Sequence, residues 1–169
     1  MRNDIVSPTD LQLNDETVIQ IKRVSKATTG GRKMGFSAIV VVGDGKGCVG
    51  LGFGKANEVA SAVNKAKTYA KKNIFKTPLI KGTIPHRLDI KYGSVKLMLK
   101  PASPGTGIIA GGSVRAIMEQ LGVTDILAKN TGSTNPINVV KAVEKGLKSL
   151  RDPLVVSRQR GIKLQELFN

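Results

Sequence analysis

The sequence has few of the residues on which enzyme sites and disulfide scaffolds depend. Among 169 residues there is one cysteine, Cys48, and one histidine, His86. A single cysteine excludes an intrachain disulfide and a cysteine metal cluster, and is typical of a reducing compartment. No nucleophile motif lies near His86, which disfavours a Ser-His-Asp arrangement. We therefore predict no catalytic residue, no metal site and no cofactor.

Long apolar runs and aromatic side chains are also scarce. No run approaches the roughly 18 residues that a membrane-spanning helix needs, and aromatic residues make up 4% of the chain. Residues 1–13 lack an apolar core, so they predict a loosely ordered arm rather than a secretory signal or a transit peptide. No aromatic-rich amphipathic helix is evident, which makes a membrane surface the weaker of the possible anionic partners.

Acidic residues are scarce in one part of the chain. The formal net charge is +15 and the pI is near 10.2. Residues 22–100 hold 17 basic and 3 acidic residues, so nearly all of the positive excess lies in this window. A solvated surface that served only solubility would not need this asymmetry. The pattern predicts a polyanionic partner, and nucleic acid is the favoured one.

The first half of the chain predicts three strands and a helix. Alternating apolar residues predict a strand from Thr17, and β-branched residues predict a buried strand over residues 36–42. A glycine-rich turn then leads into a third strand, "CVGLGFG", and residues 57–73 have a helical period. Between the first two strands, residues 25–33 are polar and contain a glycine pair, which predicts an exposed loop with amides and cations available to phosphates.

A second pattern starts after Pro78. Residues 88–99 alternate about a two-residue "GS" turn and predict a hairpin. Helices are predicted over residues 113–121 and from Pro136, the second with Asn135 as its N-cap, and "VTDILAK" between them is a short strand. The predicted register of the hairpin has three cross-strand pairs: Tyr92 with Val95, Ile90 with Leu97, and Leu88 with Leu99.

The glycine-rich stretch raises the question of a nucleotide loop. Neither Gly45-Lys46 nor Gly54-Lys55 has a glycine five positions earlier and a Ser or Thr afterwards, as a Walker A loop requires. The G-x-G-x-x-G spacing at residues 45–50 spans a hairpin turn and so lacks the helix N-terminus that binds a pyrophosphate. We interpret Gly43, Gly45 and Gly47 as turn residues. Gly50, Gly52 and Gly54 are interpreted as points where the strand passes close to a helix or to RNA.

A second glycine-rich loop precedes the helix at residues 113–121. Gly105, Gly107 and Ala110 have dinucleotide-loop spacing, and Asp125 follows twenty residues after the first glycine. "PASP" separates the preceding strand from this loop, and no series of βαβ units surrounds it. The spacing is therefore weak support for a nucleotide site.

Several long segments resemble one protein family. They are "RVSK", "GGR", "VVGDGKG" with "VGLGFGKANEV", "PASPGTGIIAGG" and "AKNTGSTNPINVVKA". In this order and spacing they resemble ribosomal protein five of the bacterial-type small subunit, over about residues 14–152. The resemblance implies an α+β fold of two small domains, preceded by the arm. The first domain, residues 14–78, would be a β-sheet plus a helix, similar to a double-stranded-RNA-binding domain. The second, residues 79–152, would be a two-layer α/β domain with a βαβ crossover, followed by a tail over residues 153–169.

The resemblance also implies a function. Such proteins are structural constituents of the small ribosomal subunit and not enzymes. They bind its ribosomal RNA, support its assembly and translational accuracy, and lie beside the channel through which messenger RNA enters. Implied neighbours are small-subunit proteins three, four and eight, in the ribosome of a bacterium or a plastid. The family's crossover is left-handed, whereas general chain geometry predicts the right-handed form.

Site residues follow from the resemblance and from the charge pattern together. The segment that corresponds to the family's spectinomycin-related loop places Val24, Ser25 and Lys26 near that antibiotic's site. The segment associated with the contact to ribosomal protein four comprises Pro104, Gly105, Thr106, Gly107, Ile108 and Ile109. The predicted RNA-binding residues are Lys22, Arg23, Ser25, Lys26, Thr28, Gly30, Gly31, Arg32, Lys33, Lys46, Lys55, Lys65, Lys71 and Lys72.

Two functions of other classes stay open at this point. A free-standing RNA-binding or chaperone module would act away from particles, whereas a ribosomal component would sediment with the small subunit. An NTP-dependent enzyme would bind ATP and magnesium. Phe36, Phe53 and Tyr69 could stack on bases, but with so few aromatic residues we favour roles for them in the core.

Overall fold

The computed structural model describes residue 13, residues 16–164 and residue 166. The predicted N-terminal arm lies outside these residues except for Leu13, as does the end of the predicted tail. In chain order the elements are β1 (Thr17–Thr28), β2 (Gly31–Gly43), β3 (Cys48–Ala56), α1 (Val59–Lys72), β4 (Ile74–Lys76), β5 (Leu88–Tyr92), β6 (Val95–Pro101), β7 (Ile108–Ile109), α2 (Gly112–Leu121), β8 (Ile126–Asn130), α3 (Pro136–Ser149) and α4 (Pro153–Arg160).

The first domain is an antiparallel sheet, in the order β1-β2-β3-β4, with α1 on one face. The helix approaches β3 closely because its contact face is a row of buried alanines and the strand opposite carries glycines. A Cβ atom at Gly50, Gly52 or Gly54 would overlap a backbone carbonyl of the helix. The interpretation of these glycines as points of close approach to a helix is therefore confirmed. The pairs are Gly50 with Ala70, Gly52 with Ala66, and Gly54 with Ala62.

The second domain is a mixed sheet in the order β5-β6-β8-β7. The β5–β6 hairpin has the predicted register at all three pairs. Strand β7 runs parallel to β8, and α2 connects them, so the predicted βαβ crossover is present. Helix α2 ends at Gly122 with φ of 85°, and α3 begins after Asn135 with Pro136 in its first turn, as predicted. Asn135 occupies the N-cap position, but its side chain makes no capping hydrogen bond. The predicted α+β class with two small domains is confirmed, while the hand of the crossover stays a prediction.

The two domains share one hydrophobic core. Ile39 and Leu51, on the face of the first sheet opposite α1, belong to the same buried cluster as Leu121 of α2 and Val140 of α3. Transfer of this apolar surface out of water stabilises the pairing of the domains as well as each domain. Across the same contact, the ammonium group of Lys148 lies 4.7 Å from the ring centroid of Phe75.

Three expectations from the sequence are wrong in detail, and three elements were not predicted. Residues 25–33 form most of a β-ribbon rather than a loop, because pairing between β1 and β2 supplies long-range hydrogen bonds that local composition does not indicate. Strands β4 and β7 and helix α4 were not predicted. Gly43 is not a turn glycine: its φ is not positive, and it lies against the Gln120 carbonyl. Tyr69, expected in the core, is 52% exposed.

Candidate nucleic-acid interface

The first feature of the candidate interface is a basic hairpin, defined here as residues 22–33. Strand β3 pairs with β2 only from Phe36 onwards, so the ends of β1 and β2 continue beyond the sheet as a two-stranded ribbon. Thr28 and Gly31 are partners at its tip, where the Thr28 hydroxyl donates to the Gly31 carbonyl at 3.1 Å. Apart from Val24, every residue of the hairpin is exposed, and β1 and β2 contain no acidic residue. The hairpin therefore extends a positive charge into solvent, with no carboxylate in either of its strands.

The charges are distributed over both faces of the ribbon. Lys26 and Lys33 are directly opposite one another, so their side chains share a face. Arg32 is opposite Ala27, and Arg23 is opposite Phe36, which places both arginines on the other face. Like charges in directly opposite positions destabilise a sheet. A polyanion bound along the hairpin would relieve the repulsion between Lys26 and Lys33.

A groove continues from the hairpin between the two domains. Ser37 of β2 is flanked by Lys22 on β1 and Lys55 on β3, so the two lysines stand on one face of the sheet. The groove has a volume of about 900 Å³ and lies between this face and the start of α3. Lys141 of α3 reaches into it, with its ammonium group 5.8 Å from the ring centroid of Phe53. The groove therefore extends the basic surface inward.

The remaining predicted RNA-binding residues lie elsewhere. Lys65, Lys71 and Lys72 are exposed on α1. Lys46 is in the turn at the opposite end of β2, a strand of 13 residues, which at the usual rise separates it from the hairpin tip by about 40 Å. The structure thus brings together the hairpin residues and Lys55, and divides the others into a helix group and a turn.

The glycine-rich turn between β2 and β3 has no amide available for a phosphate. The Gly45 and Gly47 amides donate to the carbonyls of Gln120 and Leu121 at 3.1 and 3.0 Å. Asp44 uses its carboxylate to accept from the Lys46 and Cys48 amides at 2.7 and 2.9 Å. The Asp44 amide donates to the Cys48 carbonyl. The turn therefore caps the C-terminus of α2, and the nucleotide-loop interpretation is excluded at this position.

The second glycine-rich loop already contains an anion of its own. The Asp125 carboxylate is buried, accepts the Gly107 amide at 2.9 Å, and accepts the Thr124 hydroxyl at 2.7 Å. The Thr124 hydroxyl and then the Gly107 amide lower the pKa of Asp125, the Gly105 and Thr106 amides contribute less, and desolvation opposes them. The carboxylate that a dinucleotide site would use for a ribose instead holds the loop closed.

This carboxylate gives a testable pH dependence. Because the pKa of Asp125 is lowered on folding, its contribution to stability is complete above the ordinary aspartate value of about 3.9 and is lost as the pH falls below it. We expect Asp125→Asn to lower Tm at pH 7 and to make the acid limb of the Tm–pH curve shallower, as measured by circular dichroism. Asp89→Asn, at an exposed carboxylate paired with Arg87, is the control. An acid limb of unchanged slope in the Asp125 variant would contradict this role.

The segment of the predicted protein contact leads from this loop to the sheet edge. Pro104, Gly105 and Thr106 are exposed, and Ile109 of the edge strand β7 is 55% exposed. Ile108 points the other way and packs against the shared core. The segment therefore offers an apolar side chain and a short uncovered strand edge, anchored from beneath.

Other chemistry has little support in the described residues. Cys48 is buried, and burial raises the pKa of its thiol, with the neighbouring Asp44 adding to the effect. His86 is half-buried, and one ring nitrogen accepts the Arg151 amide at 3.4 Å. Nowhere in this part of the chain do three or more His, Cys, Asp or Glu side chains gather as metal ligands would. None of the described helices has the length and apolarity needed to cross a membrane.

Comparison with known proteins gives two family matches and many close relatives. Residues 14–78 match "Ribosomal protein S5, N-terminal domain", and residues 90–160 match "Ribosomal protein S5, C-terminal domain". The chain is 46% identical to a protein of Bacteroides thetaiotaomicron over 168 residues, covering 99% of this chain and 97% of the relative. It is 50% identical over 161 residues to one of Dehalococcoides mccartyi strain 195, covering 95% and 93%. Both relatives are named "Small ribosomal subunit protein uS5".

The two-domain fold with its basic surface is thus that of a ribosomal protein, a structural component of the ribosome and not an enzyme. More closely, the chain belongs to the ribosomal protein S5 family, the uS5 proteins of the small subunit. Association with the ribosome and its RNA follows from this membership.

Sequence reasoning missed Lys141 and the groove. In the sequence, Lys141 is an ordinary exposed position of an amphipathic helix, next to the buried Val140 and Ala142. Its proximity to Phe53 depends on how the two domains are placed relative to each other, which no local pattern indicates.

Proposed function

We propose that the chain binds small-subunit ribosomal RNA mainly through the basic hairpin, and thereby supports subunit assembly and translational accuracy. One observation carries the proposal: the hairpin projects beyond the sheet with cations on both faces and no acidic residue in either strand. Lys55 and the groove extend this surface toward the second domain. Family membership supports RNA as the polyanion.

Recognition is by charge and shape in this proposal. Ser25, Thr28, Gly30 and Gly31 lie among the cations, where the Ser25 hydroxyl and the exposed backbone at the tip bring phosphates close. Phe36 and Phe53 are half-buried and pack against the cores, which leaves them poorly placed to stack on bases. Contacts to phosphates and to the RNA minor groove suit such a surface better than contacts to base edges. Lys46, Lys65, Lys71 and Lys72 serve as peripheral contacts.

The other proposed contacts concern neighbours in the subunit. Val24, Ser25 and Lys26 lie near the spectinomycin site in this proposal, and Pro104–Ile109 contact small-subunit protein four, supported by the exposure of Ile109. Proteins three and eight and the incoming messenger RNA complete the set. We propose domain boundaries at residues 14–78 and 79–152, with an arm before them and a tail after them. The ribosome is that of a bacterium or a plastid.

The proposal is tested by removing two cations from the hairpin. We expect Arg32→Ala with Lys33→Ala to weaken binding to a small-subunit ribosomal RNA transcript. The slope of log K against log salt, which is negative, should become shallower by roughly 1 to 2, since each phosphate contact contributes about 0.7 to 0.9 to its magnitude. Filter binding between 50 and 300 mM KCl measures both.

The control removes two exposed lysines outside the hairpin, Lys81→Ala with Lys163→Ala. It matches the change in net charge, so a general effect of charge would appear equally in both variants. Equal salt slopes for the hairpin variant and the wild-type chain would refute the proposed interface. Sedimentation of a tagged copy with small subunits would distinguish a ribosomal component from a free-standing RNA-binding module.

A further inference from the structure

The uncovered face of the second sheet carries a concentration of lysines that the basic hairpin does not include. Helices α2 and α3 pack on the opposite face, where Ile90, Leu97 and Leu99 are buried. The side chains that alternate with these point away from the helices and are exposed or half-buried. Four of them form what we call the lysine face: Lys91, Lys96, Lys100 and Lys129.

The register places these lysines next to one another. Lys91 and Lys96 are directly opposite across β5 and β6, which brings their Cβ atoms to about 5 Å. Lys129 of β8 is opposite Met98 and therefore diagonal to both Lys96 and Lys100, at about 7–8 Å. Like charges at such positions destabilise the sheet. Solubility alone does not require this arrangement, since cations can be dispersed.

No carboxylate of the described second domain neutralises the lysine face. Asp89, on the same face, is paired with Arg87 at 2.9 Å. Glu119 and Glu144 are paired with Arg115 and Lys148 on α2 and α3. The two remaining carboxylates accept backbone amides: Asp125 in its loop, and Asp152 as the N-cap of α4. Among the described residues of the second domain, the lysine face therefore has no carboxylate paired with it, and its positive charge attracts a polyanion.

We infer that the lysine face is a second RNA contact, separate from the basic hairpin, that binds the phosphate backbone of an RNA helix. The inference rests on the proposed function, because it takes RNA as the polyanion. Besides the lysines and Asp89, this side of β5, β6 and β8 presents Met98 and Leu127 and no aromatic ring. Without rings to stack on bases, the surface suits a backbone held by charge and not splayed single-stranded bases.

The test combines three variants of the full chain. The first is Lys91→Gln, Lys96→Gln and Lys129→Gln. The second is the hairpin pair Arg32→Ala and Lys33→Ala. The third is a charge-matched control at exposed lysines off both surfaces: Lys76→Gln, Lys81→Gln and Lys163→Gln. Thermal unfolding first establishes that each variant folds, and removal of the Lys91–Lys96 repulsion should leave the first at least as stable as the wild-type chain.

Binding to the small-subunit ribosomal RNA transcript is then measured against salt. We expect the slope of log K against log salt to become shallower by roughly 2 to 3 in the lysine-face variant, and to stay nearly unchanged in the control. A wild-type slope in the lysine-face variant with a reduced slope in the hairpin variant would overturn the inference and leave the proposed function intact. Wild-type slopes in the lysine-face variant and in the hairpin variant would refute the inference and the proposed function together.

A positional measurement distinguishes two contacts from one. Cys48 is buried, so an iron chelate can be attached to a cysteine introduced at Met98→Cys, in the lysine face, or at Ala27→Cys, in the hairpin. We expect the two probes to cleave different nucleotides of the bound transcript. Absence of cleavage from position 98 would overturn the inference. If the lysine-face variant bound the transcript like the wild-type chain but was incorporated less into small subunits, the lysine face would instead be assigned to contact with an acidic protein surface.

Discussion

Replacing Gly52 by valine is expected to lower the free energy of unfolding by about 3 to 5 kcal/mol. A Cβ atom at this position would overlap the Ala66 carbonyl and crowd the Ala70 amide, which are backbone atoms of α1. Backbone cannot rotate away as a side chain can, so the helix has to separate from β3 and expose its buried alanine row. For a chain of this size the loss corresponds to a fall in Tm of roughly 10 °C, measured by calorimetry.

Gly112→Ala is the matched control. This glycine is the first residue of α2, has an ordinary φ, and has open space where a Cβ would be. Alanine there should leave Tm unchanged or raise it slightly, because it reduces the freedom of the unfolded chain. If Gly52→Val left Tm within about 2 °C of the control, the close approach of α1 to β3 would not be the reason for glycine in this strand.

Replacing Gly122 by alanine is expected to lower the free energy of unfolding by about 3 kcal/mol and to separate the two domains locally. Gly122 has φ of 85°, and a Cβ atom there would overlap the carbonyl of Gly45 in the other domain. Gly161 is the ideal control: it too ends a helix in the left-handed conformation, at φ of 67°, but with nothing within 4 Å of a Cβ. Gly161→Ala therefore measures the backbone strain alone, about 1 kcal/mol.

Hydrogen exchange separates domain opening from strain. The Gly45 and Gly47 amides donate to carbonyls at the end of α2, so we expect their exchange to accelerate in the Gly122 variant and not in the Gly161 variant. Equal losses of stability in the two variants, with unchanged exchange at these amides, would mean that the turn contributes little to holding the domains together.

Local pattern predicted those parts of the fold that depend on local interactions. The β5–β6 hairpin followed from alternation about a tight turn, and its register was confirmed pair by pair. The end of α2 at Gly122 and the start of α3 at Pro136 followed from helix-terminus chemistry. Helix α4 has the same signals, with Asp152 capping its start and Gly161 ending it, and it could have been predicted from them.

What the sequence did not predict depends on contacts distant along the chain. The ribbon at residues 25–33 needs pairing between two strands, and its composition alone indicated a loop. The groove beside Lys55 exists because the start of α3 lies opposite the first sheet, although the two are far apart along the chain. The amides of the glycine-rich turn could not be assigned to α2 from spacing, because their acceptors lie some 75 residues later, at Gln120 and Leu121.

The cap that the glycine-rich turn places on α2 has a consequence for the order of folding during synthesis. The first domain leaves the translating ribosome first and can close its hairpins before α2 has been made. When α2 forms, its last carbonyls meet the Gly45 and Gly47 amides. These amides belong to a turn that the Asp44 carboxylate already holds through the Lys46 and Cys48 amides. The earlier domain thus acts as a template for the later one. We expect the N-terminal half to assist the folding of the C-terminal half. The C-terminal half should assist the folding of the N-terminal half less.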